Sequence, residues 1–187
     1  MGKFLVGLIL GIFLIPVIVY FYFSTGAAPV AAVADPMPFE RTFARMALHA
    51  RLDKEMPKTV PIQADDGAYT AGAQIYKDNC AVCHSLPTGT PTAIAQGMFP
   101  RPPKLLQGKG VTDDAPGETY WKVARGIRMT GMPGFEKTLS TTQMWQVSLL
   151  LANADKLPAS VKDSLTTVAA APVVTNTAAQ TSSPAKK

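Results

Sequence analysis

The chain has 187 residues, of which 47% are hydrophobic and 17% are charged, and its formal net charge is +5. That length suggests one domain with additional segments. The positive charge is modest and no dense run of Lys or Arg accompanies it, so we expect no nucleic-acid partner. The sequence also has no internal repeat that would indicate a solenoid.

Residues 4–23, "FLVGLILGIFLIPVIVYFYF", form an uncharged apolar segment. The segment is about as long as the roughly 20 residues that a membrane-spanning helix needs. We therefore predict that residues 1–23 are an N-terminal transmembrane anchor. Lys3 precedes the span and the next basic residue is Arg41, which favours an N-terminus in the cytoplasm, although Arg41, Arg45 and Arg51 further along weaken the asymmetry.

A cleaved signal peptide is the alternative for this segment. Residues 32–34, "AVA", have the small-x-small form of a cleavage site, with cleavage after Ala34. However, the apolar region of a signal peptide is about 7–15 residues long, and this one is longer. The length favours a retained anchor and leaves cleavage open.

Residues 24–66 are predicted to be a linker followed by an amphipathic helix. The Ala- and Pro-rich linker, residues 24–38, would let the following domain swing between partners. Residues 39–56 then have helical periodicity, with an apolar face of Phe39, Phe43, Met46, Ala47 and Ala50. This helix would lie on the membrane, meet a partner or pack on the next domain, and ordinary packing is the favoured interpretation. His49 on the same helix is interpreted as a surface residue.

The remaining chain divides into residues 67–158, predicted to be a compact domain, and residues 159–187. The second segment is rich in Ala, Thr and Ser and has no sustained periodicity. We predict that it is a disordered tail.

The compact domain contains both cysteines of the chain in "NCAVCHSLP", residues 79–87. Cys80, Cys83 and His84 have the C-x-x-C-H pattern of covalent c-type haem attachment. Two cysteines three positions apart on a helical turn present their sulfurs on one side, where both can form thioethers with the haem vinyl groups. The adjacent histidine then lies under the iron as its proximal ligand.

Three other interpretations of this motif are a thioredoxin-like redox pair, a structural zinc site and a structural disulfide. A redox pair would need a βαβ context, whereas the flanking sequence is typical of helices. Zinc usually takes four ligands, and although His49 would complete a Cys/His set, no zinc-ligand spacing supports it. The motif favours haem and leaves these alternatives open.

A sixth iron ligand is a further test, because electron-transfer haems often pair His with Met. The candidates are Met129 and Met132 in "ARGIRMTGMPGF", residues 124–135. Met132 is favoured because the Gly and Pro residues beside it are typical of an irregular loop that approaches the haem closely.

With these motifs the sequence resembles the class I c-type cytochromes over residues 67–158, and is similar to the bacterial branch with a membrane-anchored cytochrome domain. Gly72 and Tyr76 match the helix that precedes the haem motif in that family, and residues 140–157 match its C-terminal helix. The resemblance implies an all-α class I cytochrome c fold in which these two helices cross closely. Gly72 would permit the close approach, and Tyr76 would pack against Trp145 and Leu149 or Leu150.

The resemblance also implies roles for residues after the motif. The Pro103 carbonyl would accept a hydrogen bond from His84 Nδ1, Leu105 would pack on the haem, and Met132 in "GMP" would bind the iron. A ligand histidine usually donates its other N–H in this way. Residues 97–104, "GMFPRPPK", are unusually proline-rich, and Met98 and Phe99 are interpreted as haem-packing residues.

The implied function is single-electron transfer by one covalent haem c with His/Met ligation, in a carrier or complex subunit and not an enzyme. We expect membrane-bound respiratory redox complexes as donor and acceptor, and a haem domain on the periplasmic side of a bacterial inner membrane. A haem-based gas or redox sensor with a labile sixth ligand is the alternative function, and a thiol oxidoreductase is a third. A docking rim for an acidic partner is hypothesised at Arg101, Lys104, Arg125 and Arg128.

Overall fold

The computed structural model describes residues 2–166, and this part of the chain is helical with no β-strands. The prediction of an all-α protein is therefore confirmed for these residues. The helices are α1 (Gly2–Ser24), α2 (Glu40–Glu55), α3 (Asp66–Asn79), α4 (Ala81–His84), α5 (Ala93–Gly97), α6 (Pro116–Arg125), α7 (Thr141–Ala152) and α8 (Ala159–Thr166).

Helix α1 contains the predicted anchor. Its window Gly7–Ser24 is long and apolar enough to cross a membrane, and none of that window is buried against the rest of the chain. A secretion signal near the N-terminus has the same properties. The choice between a retained anchor and a cleaved signal therefore stays a prediction.

The core lies where α3 crosses α7, with α6 and α8 packed around the crossing. A Cβ at Gly72 of α3 would overlap the Gln146 carbonyl of α7 and come within 3.1 Å of Leu150 Cβ. Only glycine therefore allows the two helices to approach this closely. The close crossing implied by the resemblance is present, and glycine permits it as expected.

Polar caps fix where the two crossing helices begin. Asp65 accepts a hydrogen bond from the Ala68 backbone N–H at 2.8 Å, which caps α3. Helix α7 begins with a capping box in which Ser140 and Gln143 bond each other's backbone N–H groups. These bonds satisfy donors that a helix N-terminus otherwise leaves unpaired.

Helix α8 corrects the predicted C-terminal boundary. Residues 159–166 are helical and pack on α3, with Val161 and Leu165 buried in the core. The prediction of a disordered tail is wrong for these eight residues, because two apolar side chains four positions apart suffice to dock two helical turns. Residues 167–187 of the predicted tail lie outside the described residues.

Helix α2 packs on α6, as the favoured interpretation expected, but through an unexpected face. Leu52 is 2% exposed, and Trp121 Nε1 donates to Glu55 Oε2 at 3.1 Å. Phe39 and Phe43, which belong to the predicted packing face, are instead 71% and 61% exposed. The predicted apolar face is therefore the outer one.

The linker before α2 is held against the domain. Ala28 is 7% exposed, and residues between Pro29 and Pro36 line an open cleft together with Glu40 and Phe99. Arg41 at the start of α2 lies over the Phe99 ring, 5.7 Å from its centroid. Val30 and Val33 of the same linker are each 95% exposed, so the expectation of a swing on this linker stays a prediction.

Candidate haem-binding site

The C-x-x-C-H motif lies on the single helical turn that follows α3. Cys80 comes directly after α3, and its carbonyl accepts hydrogen bonds from the backbone N–H groups of Cys83 at 3.1 Å and His84 at 2.9 Å. Residues three positions apart on such a turn share one side. Both cysteines are half-buried free thiols. The local fold therefore presents two sulfurs together, next to a histidine.

His84 is oriented by the proline-rich loop. Its Nδ1 atom lies 2.7 Å from the Pro103 carbonyl oxygen. Because a carbonyl can only accept, Nδ1 carries the proton and Nε2 is left with a free lone pair. Burial lowers the pKa of His84, while the bond to Pro103 acts in the opposite direction. A neutral imidazole with one bonded nitrogen is the state in which histidine binds metals.

Tyr76 makes a contact that the sequence did not predict. It is fully buried, and its hydroxyl donates to the Ser85 carbonyl at 2.8 Å. This bond ties α3 to the residue that follows His84. The stacking partner of Trp145 is Tyr120, with ring centroids 4.2 Å apart, whereas Tyr76 shares the core with Leu150. Of the neighbours implied for Tyr76, Leu150 lies in the same core cluster, whereas Trp145 stacks on Tyr120.

Two further side chains brace the segment around the motif. Thr92 Oγ1 donates to the Val82 carbonyl at 2.7 Å, and Gln107 Nε2 donates to the Pro87 carbonyl at 2.6 Å. No sequence pattern predicts either bond, because the first joins residues 10 positions apart and the second joins residues 20 positions apart. They hold the loops on both sides of His84 in place.

Met132 lies in a loop fastened to the end of α6. The Met132 carbonyl accepts from the Ile127 N–H at 3.2 Å, and the Met132 N–H donates to Thr130 Oγ1 at 3.1 Å. At the far end of the loop, Phe135 N–H donates to the Val123 carbonyl at 2.9 Å. The Met132 side chain is half-buried and packs against the core.

Met129 differs from Met132 in exposure and backbone. It is 83% exposed and has a positive φ of 61°. Its side chain therefore extends into solvent, whereas that of Met132 turns toward the core. The two methionines are three positions apart, yet the loop gives them different surroundings.

Met98 of the proline-rich loop packs against the methionine loop. A Cβ at Gly131 would overlap Met98 Cε and lie 3.4 Å from its Sδ. Gly131 therefore leaves room for the Met98 side chain directly beside Met132. The loop that carries Pro103 and the loop that carries Met132 consequently meet through this contact.

An apolar surface adjoins these groups. Several hydrophobic side chains pack against the core but are only half-buried, among them Leu86, Leu105, Leu106, Val111, Met132 and Phe135. Leu105, which the resemblance assigns to haem packing, is a member of this set. The same set includes Cys80, so a half-covered apolar surface adjoins the haem motif and fits a large planar apolar group with an iron centre.

The hypothesised basic rim is divided by the structure. Arg101 and Lys104 line a small open cleft beside Cys83, and Arg128 is exposed. Arg125 instead forms an ion pair with Glu136 at 2.6 Å. Because a carboxylate lies beside it, Arg125 adds less net positive charge to the rim than the other three residues do.

The alternative interpretations of the cysteines gain no support. Within residues 2–166, no group of three or more His, Cys, Asp and Glu side chains is placed to hold a metal, as a four-ligand zinc site of Cys80, Cys83, His84 and His49 would require. Burial, reinforced by the neighbouring Cys83, raises the pKa of Cys80 to about 12. Reactive redox thiols have a lowered pKa, so this environment is the opposite of theirs.

Comparison with known proteins identifies the compact domain. The family model described as cytochrome C oxidase, cbb3-type, subunit III matches residues 67–149. These residues form a class I c-type cytochrome domain. It is therefore an electron-transfer domain of the type that carries a covalently bound c-type haem.

The cytochrome domain was also compared with curated proteins and solved structures. No curated protein matches the chain. Among solved structures, the reducing HAO-like protein complex of Kuenenia stuttgartiensis is similar at 23% identity and a TM-score of 0.42. That match covers 55% of this chain, which spans about half, 53%, of the other chain.

Proposed function

We propose that the protein is a membrane-anchored carrier of single electrons, with one haem c bound through Cys80 and Cys83 and ligated by His84 and Met132. The observation that carries this proposal is the hydrogen bond from His84 Nδ1 to the Pro103 carbonyl, 2.7 Å long. It leaves Nε2 as a neutral ligand on the same turn as two free thiols. The family of the domain supplies the expectation of a covalent haem.

The residues of the chain fit such a group. Haem c supplies a one-electron iron couple when it is bound. Cys80 and Cys83 would tether it, His84 would hold the iron from one side, and Leu105 with its half-buried neighbours would cover the porphyrin and exclude water. Pro103 holds the histidine ring in one orientation, which limits reorganisation when the charge changes.

Met132 is proposed as the sixth ligand because of its surroundings. It is half-buried against the core, whereas Met129 is 83% exposed. A thioether ligand stabilises the ferrous state of the iron more than other axial ligands do, and it therefore raises the reduction potential. A site with both axial positions filled by protein would not readily bind oxygen or peroxide, which favours a carrier over an enzyme.

We place the cytochrome domain on the periplasmic side of a bacterial inner membrane. The supporting features are the apolar helix α1, Lys3 before it and the absence of Lys or Arg between Lys3 and Arg41. Membrane-associated respiratory complexes are then the expected donor and acceptor, because tethering raises the effective concentration of the haem near them. Arg101, Lys104 and Arg128 would steer an acidic partner, so electron-transfer rates should fall as salt rises.

The absorption spectrum of the purified protein tests the proposal. We expect one haem per chain that stays attached under denaturing conditions, a six-coordinate reduced spectrum and no ready binding of carbon monoxide. A protein without haem would overturn the proposal and leave the thiol oxidoreductase.

The same experiment decides the second candidate, a gas or redox sensor. Within the described residues, the Met132 loop is held by backbone hydrogen bonds, one threonine hydroxyl and an exposed ion pair, and such a loop can open. A five-coordinate reduced haem, or ready carbon monoxide binding, would establish the sensor and contradict the carrier.

A further inference from the structure

Helix α2 has two apolar faces, and only one of them is covered. Leu52 is buried and Leu48 half-buried on the side of α2 that meets the cytochrome domain. At 3.6 residues per turn, the opposite side carries three apolar residues that lie in solvent, and Phe39, directly before α2, is exposed next to them. This outer stripe consists of Phe39, Phe43, Met46 and Ala50.

The outer stripe is large and contains no polar side chain. Phe39, Phe43 and Met46 are 71%, 61% and 58% exposed. The two phenylalanine rings form an edge-to-face pair with centroids 6.3 Å apart. From residue 39 to residue 50 the stripe is about 16 Å long at 1.5 Å per residue. Exposed apolar surface of this extent marks an interaction site.

The chain path holds this stripe near the end of α1. Helix α1 ends at Ser24, and Ala28 is already buried. Four Cα steps separate the two residues, which limits the distance between them to about 14 Å. The linker after Ala28 lines a cleft with Glu40 of α2 and Phe99 of the domain. The start of α2 is therefore tied through this short, partly packed linker to the end of α1.

The linker between α1 and the stripe also carries exposed apolar residues. Val30 and Val33 in the linker are each 95% exposed. Surface apolar groups thus run from the membrane-spanning segment through the linker to Phe39 and Phe43. Exposed apolar residues on both sides of the linker, close in sequence to a membrane-spanning segment, favour the interface of the bilayer over a separate protein partner.

The charges of α2 agree with a lipid surface. Of its three acidic residues, Glu40 accepts from the Met37 backbone N–H, Glu55 bonds both Arg51 and Trp121, and Asp53 is exposed beyond the end of the stripe. Arg45 and Lys54 have no acidic partner among residues 2–166. Phenylalanine on one side with unpaired basic groups elsewhere is typical of helices that lie in the headgroup region of anionic membranes.

We propose that the outer stripe of α2 inserts into the lipid interface and holds the cytochrome domain against the membrane, with the proline-rich loop near the bilayer. Because the inner face of α2 is packed on α6, insertion fixes the orientation of the whole domain. The inference rests on the proposed function for the presence of the anchor and of the haem. It adds that the domain is docked on lipid and does not swing on a flexible tether.

Spin labels on full-length holoprotein in nanodiscs of phosphatidylethanolamine and phosphatidylglycerol test this inference. One variant carries the label at Phe43→Cys in the stripe. The control carries it at His49→Cys, an exposed position about 120° around the same helix. The measured quantity is the ratio of collision rates with oxygen, which is concentrated in lipid, to those with a water-soluble nickel complex.

We expect a ratio several-fold higher at residue 43 than at residue 49. Equal, water-like ratios at both positions would overturn the proposal. Dipolar broadening between labels at residue 43 that disappears on dilution with unlabelled protein would also overturn it, since a second copy would then cover the stripe. Because Phe43 is exposed, the variant should fold, and its haem spectrum checks this.

Failure of the proposed function gives a different result. In a holoprotein whose native cysteines are thioethers, each variant takes up one spin per chain. Three spins per chain would show that Cys80 and Cys83 are free and that the proposed function is wrong. The same two labels in a chain with Cys80→Ser and Cys83→Ser would then still decide whether the stripe lies in lipid.

Discussion

The His84 side and the Met132 side of the candidate haem site are built differently. His84 sits on a helical turn continuous with α3, and a side-chain hydrogen bond to Pro103 and the buried bond from Tyr76 to Ser85 fix that turn. Met132 sits in an irregular loop held to the end of α6 by backbone hydrogen bonds. The proposed thioethers and the helical turn would thus constrain one side together, while the other side depends on loop geometry.

The difference indicates that the His84 side of the domain is rigid and that the Met132 side can open more easily. Elements with buried side-chain bonds and helix packing open only with most of the fold, whereas a half-buried loop opens at lower free energy. We therefore expect the histidine side to decide whether haem is retained. The methionine side should decide the reduction potential and the access of external ligands.

The largest expected effect comes from removing the histidine. His84→Ala should abolish most haem incorporation, because the remaining thioether positions no longer lie beside a strong iron ligand. The measurement is haem content per purified chain. The control is His49→Ala on the exposed side of α2, which should retain full haem content. Normal, low-spin haem in His84→Ala would contradict the assignment of the proximal side.

The next effect concerns the helix crossing that carries the motif. Gly72→Ala would place a methyl group against the Gln146 carbonyl, so we expect a loss of about 1–3 kcal/mol in the free energy of unfolding. Gly97→Ala is the matched control, since a Cβ there meets nothing within 4 Å. Its stability should stay the same or rise by up to about 1 kcal/mol. Equal denaturation midpoints for the two variants would show that the crossing is not tight.

Gly131→Ala probes the methionine side more gently. The new methyl group would displace the flexible end of Met98, at a cost of about 1 kcal/mol or less. We expect the haem to stay bound and carbon monoxide to bind faster, because the Met132 loop is loosened. Adding Met98→Ala should restore the slow rate by making room. If the double variant binds carbon monoxide as fast as Gly131→Ala, the contact between the two loops has no role.

The smallest effect is expected from the ion pair at the base of the methionine loop. Arg125 and Glu136 are 58% and 45% exposed in their side chains, so the pair is screened by solvent. Arg125→Gln should change the unfolding free energy by under about 0.5 kcal/mol. Thermal denaturation at low and high salt measures this. A larger, salt-dependent loss would mean that charge, and not the backbone bonds, holds the loop.

Sequence reasoning succeeded where local pattern determines structure. The spacing of Cys80, Cys83 and His84 predicted one helical turn, and the resemblance supplied the partner of His84 at Pro103. The lack of a side chain at Gly72 was likewise expected to allow the close helix crossing. Each of these features depends on residues whose chemistry leaves few alternatives.

The rest depended on which surfaces are covered in three dimensions. Periodicity correctly predicted an apolar face that includes Phe39 and Phe43. Leu48 and Leu52 form a second apolar face on the same helix, and only the packing on α6 shows that this second face is the buried one. Helix α8 was not predicted because its segment is rich in Ala, Thr and Ser and only two of its residues, Val161 and Leu165, are buried against the domain. The hydrogen bond from Tyr76 to Ser85 depends on how the chain turns after α3, which no sequence pattern predicts.

The sulfur-to-iron absorption band of oxidised holoprotein tests the central claim most directly. Met132→Ala is predicted to abolish this weak band in the red and to lower the reduction potential, while Met129→Ala, at an exposed position of the same loop, should leave both unchanged. A band that persists in Met132→Ala, or that disappears in Met129→Ala or Met98→Ala, would contradict His84/Met132 ligation.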